Sequence, residues 1–156
     1  KGWYIDPHVV RAVGTPDSLL TKFERHVTKV DAHWYDLIQE GMRRLVNEPG
    51  GTARQARLDS ITVCGKTGTA ENPQGQDHAV FISFAPMENP KIAIAVYVEN
   101  SGFGGTWAAP IASLLTKQYL TDTISRPDLE KKMLEADLIS LEKNYRKPIK
   151  KPRRRR

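Results

Sequence analysis

Three apolar runs, set between two short polar stretches, restrict what this chain can fold into more than any other feature of it. They are residues 61–67, 78–85 and 92–99, each of strand length. The first opens with Ile61-Thr62-Val63-Cys64, β-branched and apolar. The second sets Val80, Ile82 and Phe84 against Ala79, Phe81 and Ser83. The third, Ile-Ala-Ile-Ala-Val-Tyr-Val from Ile92, places bulky residues on one face and small ones on the other. Between the second and third lies Pro86-Met87-Glu88-Asn89-Pro90, a short polar turn that suits an antiparallel hairpin. Ala93 and Ala95 are expected to let a helix approach the sheet closely.

Helical spacing surrounds these runs. In residues 31–47, Trp34, Leu37, Ile38, Gly41, Met42, Leu45 and Val46 recur at three- and four-residue intervals. Asp31 is placed to cap the start, Arg43 and Arg44 suit the negative end of the helix dipole, and Pro49-Gly50-Gly51 stops it. Ser101-Gly102-Phe103-Gly104-Gly105-Thr106 reads as a glycine-rich turn into a helix over 108–120, with Pro110 tolerated in the first turn. Ser125-Arg126-Pro127-Asp128 starts a further amphipathic helix through Leu129, Met133, Ala136 and Ile139, ending near Asn144. Residues 1–29 are broken by Pro7, Gly14 and Pro16 and are expected as loops with one or two short strands. The fold class is therefore α+β: antiparallel sheet strands flanked by helices, in one domain.

The net charge of +6 does not describe the body of the protein. Residues 143–156 hold nine of the 24 basic residues and no acidic one. Residues 1–142 then carry 15 basic against 18 acidic residues, a net −3. A nucleic-acid-binding fold would want its basic residues spread over a folded face, so no nucleic-acid partner is expected. No run approaches the roughly 18 apolar residues of a membrane span. Any anchor or export signal is expected outside these residues. Cys64, the single cysteine, cannot form an internal disulfide and is expected as a small buried apolar residue. His8, His26 and His33 show no metal-ligand spacing with it or with one another, so no metal site is expected.

The segment that carries chemistry is Gly65-Lys66-Thr67-Gly68-Thr69-Ala70, after the first strand and before the polar loop 71–77. A strand-edge Lys-Thr-Gly-Thr offers a fixed cation, two hydroxyls and an unobstructed backbone in one short stretch. Glycine there lets a ligand lie directly against the main chain. The open strand edge can then pair with an extended peptide.

Lys66-Thr67-Gly68-Thr69-Ala70 matches the third motif of the penicillin-binding proteins and serine β-lactamases. Gly2-Trp3-Tyr4, Gly41-Met42, Gly51-Thr52-Ala53, Asp77-His78-Ala79-Val80, Asn89-Pro90-Lys91-Ile92-Ala93, Gly104-Gly105 and Ala108-Ala109-Pro110-Ile111-Ala112 extend the resemblance on both sides. The pattern is most similar to the C-terminal part of the transpeptidase domain of the elongation-specific, monofunctional penicillin-binding protein 2 members. It covers residues 1–120. Residues 121–144 are expected as an amphipathic terminal helix and 145–156 as a disordered polybasic tail.

The resemblance implies a serine-type D,D-transpeptidase on the periplasmic side of the cytoplasmic membrane. Its substrates would be peptidoglycan stem peptides ending in D-Ala-D-Ala, its inhibitors β-lactams, its partners the cell-elongation machinery, and it would use no cofactor. It implies that Lys66 supplies positive potential, that the Thr67 and Thr69 hydroxyls hold the terminal carboxylate, and that Gly68 keeps the approach open. The Thr69 N–H would be one of two oxyanion donors, such a donor being worth about 2.7–4 kcal/mol.

The pattern also departs from the family's. No Ser-x-Asn occurs, and the one Ser-x-x-Lys, Ser140-Leu141-Glu142-Lys143, lies after the motif instead of before it, beside a basic tail that gives Lys143 no burial. The chain alone is expected to lack the nucleophile and to be inactive. Open alternatives are a penicillin-recognising sensor or inactive scaffold, and a D,D-carboxypeptidase or β-lactamase relative. His78 follows the motif loop and is expected to make a structural bond. The glycine run lacks the Gly-Lys-Ser/Thr ending of a phosphate loop. The tail is either solvated or attached to anionic envelope components.

Overall fold

The computed structural model describes residues 2–10, 14–15 and 23–143, with side chains described as far as residue 140. The tail expected over 145–156 and the side chain of Lys143 lie outside the described residues. The chain forms two compact units, residues 1–38 and 39–156.

In the first unit, β1 (Trp3–Tyr4) pairs antiparallel with β2 (His26–Val27), Trp3 opposite Val27 and Tyr4 opposite His26. The Thr28 backbone N–H and its hydroxyl both donate to Gly2 O, at 2.8 and 3.1 Å. The Arg25 guanidinium lies 4.2 Å from the centre of the Trp3 ring.

Helix α1 (Ala32–Asn47) begins one residue after the expected cap. Only the C-terminal turn of its apolar face is covered: Val46 is fully buried and Leu45 packs against the core, whereas Trp34, Leu37 and Ile38 are half or more exposed. Arg43 and Arg44 are held by carboxylates beside them. Arg43 donates to Glu40 (2.7 Å) and Glu48 (2.6 Å), and Arg44 to Glu48 (2.9 Å). These bonds hold both glutamates below the usual carboxylate range.

The second unit is built on a three-stranded antiparallel sheet, β3 (Cys64–Ala70), β4 (His78–Ala85) and β5 (Ile92–Val98), in that spatial order. Lys66 faces Ile82, Thr67 faces Phe81 and Phe81 faces Val96 across the ladders. One sheet face presents Ala79, Phe81 and Ala85, with Ile94, Val96 and Val98, to helix α2 (Ala108–Thr121), which answers with Ala108, Ala109 and Ala112. Small helix residues against a large ring let the two layers close without voids. Helix α3 (Pro127–Leu134) packs on α2. Arg126, just ahead of it, donates to Gln55 O at 3.0 Å and to the Ser113 hydroxyl.

Three expectations are corrected. The first strand does not start at 61 but at Cys64, and it runs on through the whole motif. The carbonyls before it are already used: Thr62 O accepts the Met87 N–H (3.0 Å) and Val63 O accepts Asn47 Nδ2 (2.9 Å). These bonds go to the turn after β4 and to a helix side chain, and the ladder with β4 begins only at Cys64. Ala93 and Ala95 do not face a helix; they lie exposed on the opposite sheet face, and the branched residues of β5 face α2. The single terminal helix is two, α3 and α4 (Leu138–Lys143). Asp137 interrupts it, its carboxylate accepting both the N–H and the hydroxyl of Ser140, which starts a fresh helix.

Cys64 is fully buried, and loss of solvation pushes its thiol up to about 11. A thiol reagent at pH 8 is expected to leave it unmodified in the native protein and to modify it fully in denaturant, read by mass spectrometry. Because the folded thiol holds its proton more tightly than the unfolded one, this contribution to stability is complete below the unfolded value. It is lost as the pH rises through about 11.

Candidate functional site

Strand β3 is the margin of its sheet. It pairs with β4 on one side, and no strand lies on its other side among the described residues. Alternation along it separates the motif into two faces. Cys64, Lys66, Gly68 and Ala70 share one face with Val80 and Ile82. Gly65, Thr67 and Thr69 share the other with Ala79 and Phe81, the face that carries α2.

Thr67 and Thr69 consequently line a groove of about 560 Å³, together with Thr52, Phe103, Gly104 and Thr106. Lys66 is not part of that lining. Its Cβ is on the far face, and its ammonium returns to the strand, donating to Thr67 O at 2.6 Å. The four residues expected as one wall thus form two parts. Two threonines line the groove, and a cation is clipped to the main chain beside them. Gly68 sits opposite Val80; a Cβ there would stand 3.3 Å from the Val80 Cβ, so a side chain would crowd the sheet face that Lys66 occupies.

The upper wall of the groove is the turn ahead of α2. A Cβ on Gly104 would fall 2.2 Å from Val80 O and 2.7 Å from Gly68 O, and one on Gly105 would fall 2.3 Å from Thr52 O. Only glycine permits main chain to rest on main chain this closely. The Gly104 carbonyl then accepts the Ala109 N–H (2.8 Å), which ties the turn to the first turn of the helix. A strand-to-helix turn, and not a phosphate cradle, is what the glycines make.

The polar loop after the motif is braced from within. Asn72 donates its N–H to Asp77 Oδ1 (3.1 Å) and its side-chain amide to Asn100 Oδ1 (2.6 Å), and its own Oδ1 accepts the Gln74 N–H (3.0 Å). The Asn100 N–H donates to His78 Nδ1 at 2.9 Å, which leaves the ring proton on Nε2. His78 has the structural bond expected of it.

Thr52 and Phe103 are the participants that sequence reasoning assigned no role. Thr52 Oγ1 lies 2.9 Å from Thr67 Oγ1. Thr52 belongs to the Gly51-Thr52-Ala53 segment of the resemblance, but the contact joins residues 15 apart in the chain, so no local pattern assigns it a role. Ser140 is exposed on α4 with its hydroxyl held by Asp137, and it does not line the groove. Among the described residues no group of three or more His, Cys, Asp or Glu could hold a metal ion, and no helix is long and apolar enough to cross a membrane.

Known proteins are similar to this chain in sequence and fold. The penicillin binding protein transpeptidase domain family matches residues 1–117. The peptidoglycan D,D-transpeptidase MrdA of Haemophilus influenzae is 33% identical over 147 residues, covering 80% of this chain and 22% of that protein. Among solved structures, penicillin-binding protein A from Mycobacterium tuberculosis, as its ceftriaxone acyl-enzyme complex, superposes with a TM-score of 0.64 at 28% identity. That match covers 77% of this chain and 29% of the other. Penicillin-binding protein 2 of Helicobacter pylori, solved in complex with MreC, gives a TM-score of 0.51 at 28% identity over 60% of this chain and 18% of the other. The chain spans about a fifth of the length of two curated relatives, the MrdA of Haemophilus influenzae and that of Acinetobacter baumannii.

Proposed function

The chain belongs to the penicillin-binding protein transpeptidase family, and on that premise we propose that it supplies the Lys-Thr-Gly wall of a peptidoglycan D,D-transpeptidase. Residues 1–120 would be the C-terminal half of the penicillin-binding domain, 121–144 a terminal helical arm and 145–156 a basic tail. The observation that carries the reading is that Thr67 and Thr69 both line a groove at the open margin of β3.

A stem peptide laid along that margin would pair with it as an added strand, and its terminal carboxylate would accept hydrogen bonds from the two hydroxyls. The Lys66 ammonium, held at Thr67 O, would raise the potential where the carboxylate and the departing amine gather. The Thr69 N–H would donate to the carbonyl oxygen as it gains charge. A serine from the remainder of the protein would attack that carbonyl and expel the terminal D-Ala, and an amine from a neighbouring strand would take the acyl group. A β-lactam would enter the first half of the same sequence and remain as the ester, as the acyl-enzyme state of the mycobacterial relative supports for that protein. The Helicobacter pylori complex supports a place beside the elongation machinery, on the periplasmic side of the membrane.

A fluorescent penicillin separates this reading from a penicillin-independent scaffold. The complete protein is expected to become covalently labelled, and residues 1–156 alone are expected to take no label. Failure of the complete protein to label would remove the proposal. Label on the isolated chain at Ser140 would show that the nucleophile had been misplaced.

A further inference from the structure

We infer that Thr52 is a positioning residue for carboxylate recognition: its hydroxyl donates to Thr67 Oγ1 and so turns the Thr67 hydrogen toward the ligand. This rests on the proposed reading of Thr67 as a carboxylate ligand.

Thr52 Oγ1 and Thr67 Oγ1 are 2.9 Å apart, so one of the two hydroxyl hydrogens lies between them. A carboxylate only accepts. For Thr67 to donate to it, the hydrogen between the threonines must come from Thr52. The bond then runs in one direction, from Thr52 to Thr67 to the carboxylate, and each link polarises the next. Without Thr52, the Thr67 hydroxyl keeps its donor but loses the partner that fixes its rotation.

The placement of Thr52 is firm although its side chain is exposed. The turn at Gly105 rests on its carbonyl so closely that a Cβ there would stand 2.3 Å away. The next residue, Ala53, is fully buried and donates its N–H to Leu45 O at 3.3 Å. The 3₁₀ turn Arg54–Ala56 follows at once. Helix end, glycine turn and 3₁₀ turn thus fix the main chain at Thr52, and its hydroxyl is delivered to the groove with little freedom. The Lys66 ammonium meanwhile holds the Thr67 carbonyl at 2.6 Å. Thr67 is therefore gripped at both its main chain and its side chain, by two residues of which only one belongs to the motif.

The test compares second-order acylation rates of the complete protein with a free-acid penicillin and with the methyl ester of the same penicillin. Thr52→Val keeps the volume and removes the hydroxyl. It is expected to slow the free acid about tenfold and leave the ester within about twofold, while Thr52→Ser keeps the free-acid rate within about twofold of wild type. Equal slowing of acid and ester would mean that Thr52 only shapes the groove, and no slowing of either would mean that the bond does not matter; both overturn the inference. Should Thr52→Val fold poorly, the acid-to-ester ratio of Thr52→Ala against Thr52→Ser decides the same question, since neither adds volume. Thr67→Val tells the two levels apart. If it fails to discriminate acid from ester, the carboxylate reading itself is wrong. If it discriminates and Thr52→Val does not, only the role of Thr52 falls.

Discussion

Lys66→Ala in the complete protein is expected to slow acylation by a fluorescent penicillin roughly 10²- to 10³-fold, the loss typical of one preorganised electrostatic group at an acyl-transfer site. The side chain is exposed and makes its hydrogen bond to the neighbouring carbonyl, outside the core. Its removal should therefore leave the melting temperature nearly unchanged, which separates a chemical effect from a folding one. Lys66→Arg restores the charge but not a compact point donor, and its planar fork does not fit the 2.6 Å bond to Thr67 O; it should recover only part of the rate. Acylation of Lys66→Ala within about threefold of wild type would exclude an electrostatic contribution of this size.

Phe81→Ala is expected to cost about 3–5 kcal/mol in urea melts, the largest stability loss available from one core truncation here. Phe81 is fully buried at the centre of β4. It faces Thr67 on one side and Val96 on the other, so the cavity would open beneath the groove. Gly65 is its counterpart. A Cβ at that position would lie 2.3 Å from Phe81 Cζ and 2.8 Å from Cε2, so the ring occupies the space a side chain would take. Gly65→Ala is expected to cost about 1–3 kcal/mol by overpacking. The pair should be strongly non-additive: with Phe81→Leu the clash is relieved, and Gly65→Ala should then cost much less than in the wild-type background. Additive losses would mean that the ring does not depend on the missing Cβ.

The hairpin was the most legible part of the fold. The sequence pattern and the structure both place β4 at His78–Ala85, and β5 differs by one residue at its end, because alternation and the Pro86–Pro90 turn are local signals. The motif strand was legible as a strand but not in its bounds. Just ahead of its start, Asn47 and Met87 reach Val63 and Thr62 from other elements. The break at Asp137 was present in the sequence as an Asp three residues ahead of Ser140, a helix-start spacing that the longer amphipathic pattern concealed. In the site, the two threonines and the lysine were readable from the motif, and two-residue alternation would already have put Lys66 on the opposite face from Thr67 and Thr69. Thr52 was not readable, because its role exists only once α1 and the glycine turn have met around it.

The turn at Gly104-Gly105 touches the carbonyls of Gly68, Val80 and Thr52 with nothing but main chain. The seat of this turn on the sheet is therefore a property of peptide planes and not of any replaceable side chain. Substitution cannot shift this seat by small steps, since any residue larger than glycine collides at once. Variation in the lining is left to the rim, where Phe103, Arg54 and Gln55 stand exposed and can be exchanged without disturbing the frame.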